Sequence, residues 1–160
     1  MSWLNENITQ NFKWNEMFKS YTAKRLNIDN VTTEKWILNN LERLCINILQ
    51  PIRDEFGPIR ITSGYRSGEL NKAINGAIHS NHCIGCAADI EPIYDNVSLI
   101  DILEWTHNNL KYRELIAEFY PDGWNHVAYR QDMNNYQLKL RDNDHFYDKV
   151  SIDYIKELYN

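Results

Sequence analysis

The chain has 160 residues, 43% hydrophobic and 24% charged, with only 6 Gly and 4 Pro, which fits one folded domain spanning 1–160 and gives no sign of disorder. Its formal net charge of −5 comes without any basic stripe, which argues against a nucleic-acid partner. No apolar run approaches the roughly 20 residues of a bilayer span, and Cys45, Cys83 and Cys86 are too few for a disulfide framework.

The first residues, Met1-Ser2-Trp3-Leu4-Asn5-Glu6, lack a basic segment followed by an apolar stretch. The expectation is synthesis in a cytoplasm without a secretory signal. Residues 10–26 carry a helical pattern through Phe12, Met17, Phe18 and Tyr21. Asn27 to Thr33 reads as a turn. Thr33 can cap a stronger helix whose stripe runs Ile37, Leu38, Leu41, Leu44, Cys45, Ile48, Leu49 and Ile52. Pro51 falls inside that stripe and predicts a kink or register change near Gln50. Gly57-Pro58 ends the helix.

Ile59 to Thr62 reads as a strand, Glu69 to Ile74 as a short helix, residues 75–86 as a loop and Ala87 to Glu91 as a strand. Ser98, with Asp101 three residues on, marks the start of another helix. Leu115 to Phe119 and Asn125 to Arg130 read as two strands joined by a Pro121-Asp122-Gly123 turn. Residues 146–159 read as a terminal helix. Helices first, then strands broken by a helix, predict an α+β fold with a mainly antiparallel sheet.

The chemistry concentrates on His82, Asp89 and His126. A loop running into a strand can bring His82 and Asp89 to one point, and His126 on a strand can join them as a third metal ligand. Taken singly, each reads at least as readily as a structural residue. Cys83-Ile84-Gly85-Cys86 has the spacing of a zinc knuckle or redox pair, but a full site needs more ligands than Cys45 can add. Small buried or half-exposed thiols are the expectation.

Three ordered motifs add specificity: Ser63-Gly64-Tyr65-Arg66-Ser67, then Ser80, His82, Gly85, Ala87 and Asp89 as Ser-x-His-x-x-Gly-x-Ala-x-Asp, then Trp124-Asn125-His126. Together they resemble the zinc D-alanyl-D-alanine carboxypeptidase family, which includes phage L-alanyl-D-glutamate endopeptidases. The resemblance covers roughly residues 10–130, leaving 131–160 as a C-terminal extension. It implies a hedgehog/DD-peptidase-like fold, with helices packed on a small sheet that carries the zinc site. It also implies zinc on His82, Asp89 and His126. Arg66 is implied at the oxyanion, with Ser80 and Trp124 beside the substrate.

The family places its general base shortly before the last histidine. Asp122, four residues before His126, and Glu118, eight before it, are both candidates. Asp122 is the nearer in sequence, and it equally fits an ordinary turn residue. The implied activity is zinc-dependent hydrolysis of peptidoglycan stem peptides by a monomer acting at the cell wall, as a phage lysin does. The alternative is a zinc-containing wall-binding or virion module of the same fold that does not cut.

Overall fold

The structure is a computed structural model and describes residues 1–159. The N-terminal part holds helices α1 (Trp14–Phe18), α2 (Tyr21–Leu26), α3 (Lys35–Leu44) and α4 (Gln50–Phe56). Strand β1 (Ile59–Ser63), helix α5 (Gly68–Ala73) and strand β2 (Ala87–Pro92) follow. Helix α6 (Leu99–Asn109) leads to strands β3 (Glu114–Glu118), β4 (Trp124–Ala128), β5 (Gln137–Arg141) and β6 (Phe146–Tyr147), and helix α7 (Ile152–Tyr159) closes the chain.

The predicted 10–26 helix is broken in two, since Lys19 and Ser20 take extended backbone and Ser20 Oγ caps α2 by accepting from Ala23 N. Helix α3 starts one residue later than Thr33 would place it, with Glu34 at the cap position and no side-chain cap. Between α3 and α4 the turns widen to a π-helix over Cys45–Leu49, just ahead of Pro51. Proline cannot donate to the carbonyl four residues back, and the widened turn accommodates its ring without ending the helix. Helix α6 begins as predicted: Ser98 Oγ accepts from Asp101 N at 3.1 Å, and Asp101 Oδ2 accepts from Ser98 N at 2.9 Å.

The six strands form one sheet in the order β1-β2-β4-β3-β5-β6. All neighbours are antiparallel except β3 and β5, which run parallel. Strands alternate their side chains between faces. One face, with Ala88, Ile90, Leu115, Ala117, Val127, Leu138 and Leu140, packs on Leu41, Leu44, Ile48, Ile52, Ile102 and Leu103 of the helices. The opposite face carries Asp89, His126, Glu114, Ile116, Glu118, Trp124, Lys139 and Arg141. The sequence expectation of a terminal helix over 146–159 is corrected: Phe146 and Tyr147 pair antiparallel with Arg141 and Leu140, and the helix begins at Ile152. The pairing gives that segment's backbone partners at the sheet edge, which a short aromatic pair secures better than an isolated helical turn.

Candidate metal centre

The register places the trio. Asp89 on β2 lies directly opposite His126 on β4. His82 arrives from a 3₁₀ turn at Asn81–Ile84, whose N-cap Ser80 accepts from His82 N through Oγ at 3.3 Å. Gly85 ends that turn at φ +71°, a left-handed conformation that favours glycine, and an added Cβ would meet the Ile37 carbonyl at 2.8 Å. The chain then enters β2 with Asp89 already facing the site.

His82 Nε2 is 3.2 Å from Asp89 Oδ1, His126 Nδ1 is 2.9 Å from the same oxygen, and the two nitrogens are 3.1 Å apart. All three residues are buried. Tetrahedral bonds of about 2.0–2.2 Å set donor atoms roughly 3.3–3.6 Å apart, so two imidazoles and a carboxylate at these spacings fit a zinc-type ion after a shift of a few tenths of an ångström. No other His, Cys, Asp or Glu group among the described residues gathers in this way. His82 Nδ1 donates to the Gly64 carbonyl at 2.7 Å, which leaves Nε2 as the lone-pair atom. Gly64 itself lies tight against α1, where an added Cβ would stand 2.4 Å from the Met17 carbonyl.

Asp89 uses its second oxygen, Oδ2, to accept from Arg66 Nη2 at 2.8 Å, while Arg66 Nε donates to Ser63 Oγ at 3.0 Å. Ser63 lies at an irregularity in the β1–β2 pairing, a common device for re-aiming side chains beside a site. Asn30, read in the sequence only as part of a turn, is buried. It donates to the Tyr65 and Phe18 carbonyls and accepts from Ser67 N, pinning the loop that carries Arg66.

A cleft of about 970 Å³ opens over the trio, lined also by Arg66, His79, Ser80, Glu114, Glu118, Trp124, Lys139 and Arg141. The two candidate bases part company here. Glu118 ends β3 opposite Trp124, two residues along from the rung of His126, and lies in the cleft. Asp122 sits exposed at the tip of the β3–β4 turn and lines a separate cleft with Tyr120, Pro121 and Tyr159. Nearness in sequence favoured Asp122. Hairpin pairing reverses that order, because the turn carries its tip away while the strand end folds back beside the histidine.

The charges are interlocked. Burial alone would raise the Asp89 carboxyl, but the charges of and hydrogen bonds from His82 and His126 hold it well below the usual carboxylate range. Burial lowers His82. It would lower His126 too, yet the neighbouring Asp89 and Glu114 carboxylates carry that residue to about 9. Glu118 is raised, first by burial and then by the charge of Asp89, against the opposing pull of His126, Arg141 and Arg66. A buried carboxylate with a raised pKa in a cleft marks a candidate functional group.

Three cleft residues escaped the sequence reading. Glu114 Oε1 lies 3.3 Å from His126 Nε2 and Oε2 2.7 Å from Lys139 Nζ. Arg141 Nη1 lies 3.6 Å from Glu118 Oε2. The signal was alternation: Glu114, Ile116 and Glu118, like Lys139 and Arg141, recur at every second position on one strand face. Of the remaining histidines, His79 lines the cleft, His107 bonds the Tyr112 hydroxyl at 2.6 Å and His145 sits exposed beside Asp142. Cys45, Cys83 and Cys86 are free thiols.

An α+β fold with a buried His-Asp-His group at the floor of a polar cleft offers three donors that could hold a metal ion where a ligand can reach it. A family model described as peptidase M15 matches residues 10–120. The chain belongs to this family of zinc peptidases, the D-alanyl-D-alanine carboxypeptidase-like group. No curated protein gives a significant match. The family match ends before Trp124 and His126, so the third donor rests on geometry and on the Trp-x-His motif. No helix is long and apolar enough to cross a membrane.

Proposed function

We propose that the protein is a zinc peptidase that hydrolyses peptide bonds in bacterial peptidoglycan stem peptides. His82 Nε2, Asp89 Oδ1 and His126 Nδ1 hold the ion, and Glu118 is the general base. The observation that carries this reading is the convergence of the three donor atoms beside the buried Glu118 carboxylate in one cleft. When bound, zinc supplies Lewis acidity to the scissile carbonyl and the attacking water.

Glu118 accepts the proton of that water and returns it to the leaving amine. Arg66 is fixed through Nη2 and Nε and lines the cleft, where its guanidinium offsets the negative charge that develops on the carbonyl oxygen. Ser80 caps the His82 turn and stands in the cleft lining beside the substrate. Trp124, beside Glu118 on the cleft wall, packs against the peptide. The chain works as one domain over 1–160 and as a monomer, at the cell wall in the manner of a phage lysin.

The deciding test is mass spectrometry of purified muropeptides incubated with the protein, with parallel samples containing a chelator or the His82→Ala variant. A new fragment that vanishes in both controls supports the reading, and its mass names the bond cut. Intact muropeptides from several wall types, with zinc demonstrably bound, point instead to a wall-binding module that does not cut.

A further inference from the structure

We propose that strand β5, from the segment beyond the family match, positions the metal centre: Lys139 holds Glu114 against His126, so that the Glu114 carboxylate accepts from Nε2–H and fixes the ring with Nδ1 toward Asp89 and His82. This rests on the reading of His82, Asp89 and His126 as the metal-binding group.

The His126 ring can offer Nδ1 to a metal only if Nε2 carries the proton. That nitrogen is buried and has no well-aligned hydrogen-bond acceptor. A buried donor left in this state is costly, and its nearest remedy identifies its partner. Glu114 Oε1 stands 3.3 Å away. The register explains the placement. His126 and Lys139 both pair with Ile116 from opposite sides, and Glu114 lies two residues along β3 on the same face.

Lys139 Nζ contacts Glu114 Oε2 at 2.7 Å and Asp148 Oδ1 at 3.0 Å. The Lys139 and Glu114 side chains are only 13% and 16% exposed, against 70% for Asp148. The inner contact is therefore the shielded one, where an ion pair keeps its strength, and the outer contact is a solvent-facing tether. Asn81 Nδ2 donates at 3.4 Å to Glu114 Oε1, the oxygen nearest His126. Since Asn81 precedes His82, one carboxylate ties both imidazole ligands to β5. Glu114 and Lys139 are positioning residues, with no assigned contact to substrate.

The test is zinc affinity of the full-length chain, read by competition with a chromophoric chelator. Glu114→Gln and Lys139→Met are each expected to weaken zinc binding about 10–100-fold, the range typical of outer partners of a ligating histidine. The double variant should be no weaker than Glu114→Gln alone, since Lys139 acts through that carboxylate. Lys139→Arg and Asp148→Asn should stay near wild type. In the cobalt-substituted protein, Glu114→Gln should shift the visible absorption bands, a change in ligand geometry that loss of stability alone does not produce.

Unchanged zinc affinity and an unchanged cobalt spectrum in Glu114→Gln overturn the inference. If that variant does not fold, Lys139→Met decides by the same two readouts. A wild type that binds zinc but cuts no peptide sinks the peptidase reading and leaves this one to the affinities. A wild type that binds no zinc overturns both.

Discussion

At the scale of single residues, the site turns on which carboxylate takes the proton. Glu118 is raised by burial and by the charge of Asp89, so it is protonated, and inactive as a base, below a pKa above its ordinary value. Peptidase activity, as kcat/KM, is therefore expected to fall as pH drops through that raised pKa. Glu118→Gln should lower kcat by about 10²–10⁴ while zinc stays bound, and Asp122→Asn should leave kcat unchanged. Steady-state kinetics with zinc analysis of the same samples checks both. Full activity in Glu118→Gln ends its assignment as base. Gly64 makes a separate point. Its carbonyl orients His82 while its Cα lies against Met17. Gly64→Ala is expected to destabilise the fold by about 1–3 kcal/mol, measured as a lower midpoint in denaturant.

At the scale of elements, β3 and β5 form a parallel pair that aligns two carboxylates with two cations. Glu118 sits level with Arg141, and Lys139 reaches Glu114 from the next site-facing position. Arg141 also lies over the Phe119 ring, 5.4 Å from its centroid, so its guanidinium has two reasons to stay near Glu118. Arg141 opposes the rise of the Glu118 pKa. Arg141→Gln should therefore raise that pKa and move the acid limb of kcat/KM to higher pH, with zinc affinity unaltered. A pH profile that does not move would show that Arg141 has no electrostatic hold on the base. The π-helical turn ahead of Pro51 acts at the same scale: it lets α3 and α4 continue as one rod, keeping Leu44, Ile48 and Ile52 on the sheet's apolar face.

At the scale of the whole molecule, the metal-free protein carries a buried charge cluster whose balance depends on pH. The raised pKa of His126 means its contribution is complete below about 6.5, the unfolded value, and is lost as pH rises toward 9. The depressed Asp89 and Glu114, the latter held to about 2 by the neighbouring His126 and Lys139, which outweigh burial, contribute above roughly pH 4 and lose that contribution as pH falls. His82, lowered by burial, adds a contribution that is lost as pH falls below about 6.5, so zinc-free protein should melt highest at roughly pH 6.5 and less well toward pH 4 and toward pH 9. Zinc takes the place of the His126 proton, so the stabilisation it adds should grow from pH 6.5 to 9. At 100-fold excess over its dissociation constant, zinc should contribute about 2.7 kcal/mol, a rise of roughly 5–11 °C for a chain of this size. Calorimetry with and without zinc across this range checks both; a melting temperature that zinc does not change at pH 8 contradicts them.

The three motifs singled out His82, Asp89, His126 and Arg66, and the order of elements pointed to the α+β class, because both are written in local chemistry: a Gly-bearing turn into a strand, a histidine on a strand, a capping box at Ser98. Periodicity likewise gave the core stripe of α3 and the register change at Pro51. Tertiary structure decided what depends on partners distant in the chain. Strand pairing, not spacing, brought Glu118 rather than Asp122 into the cleft beside the histidine. Asn30 became a clamp on the Arg66 loop through contacts 35 and 37 residues away. Residues 131–160, which carry no motif, gained a place only when β5 docked beside β3 and set Lys139 and Arg141 against its carboxylates. A short strand with alternating charges states no partner in its own sequence; the sheet that receives it supplies one.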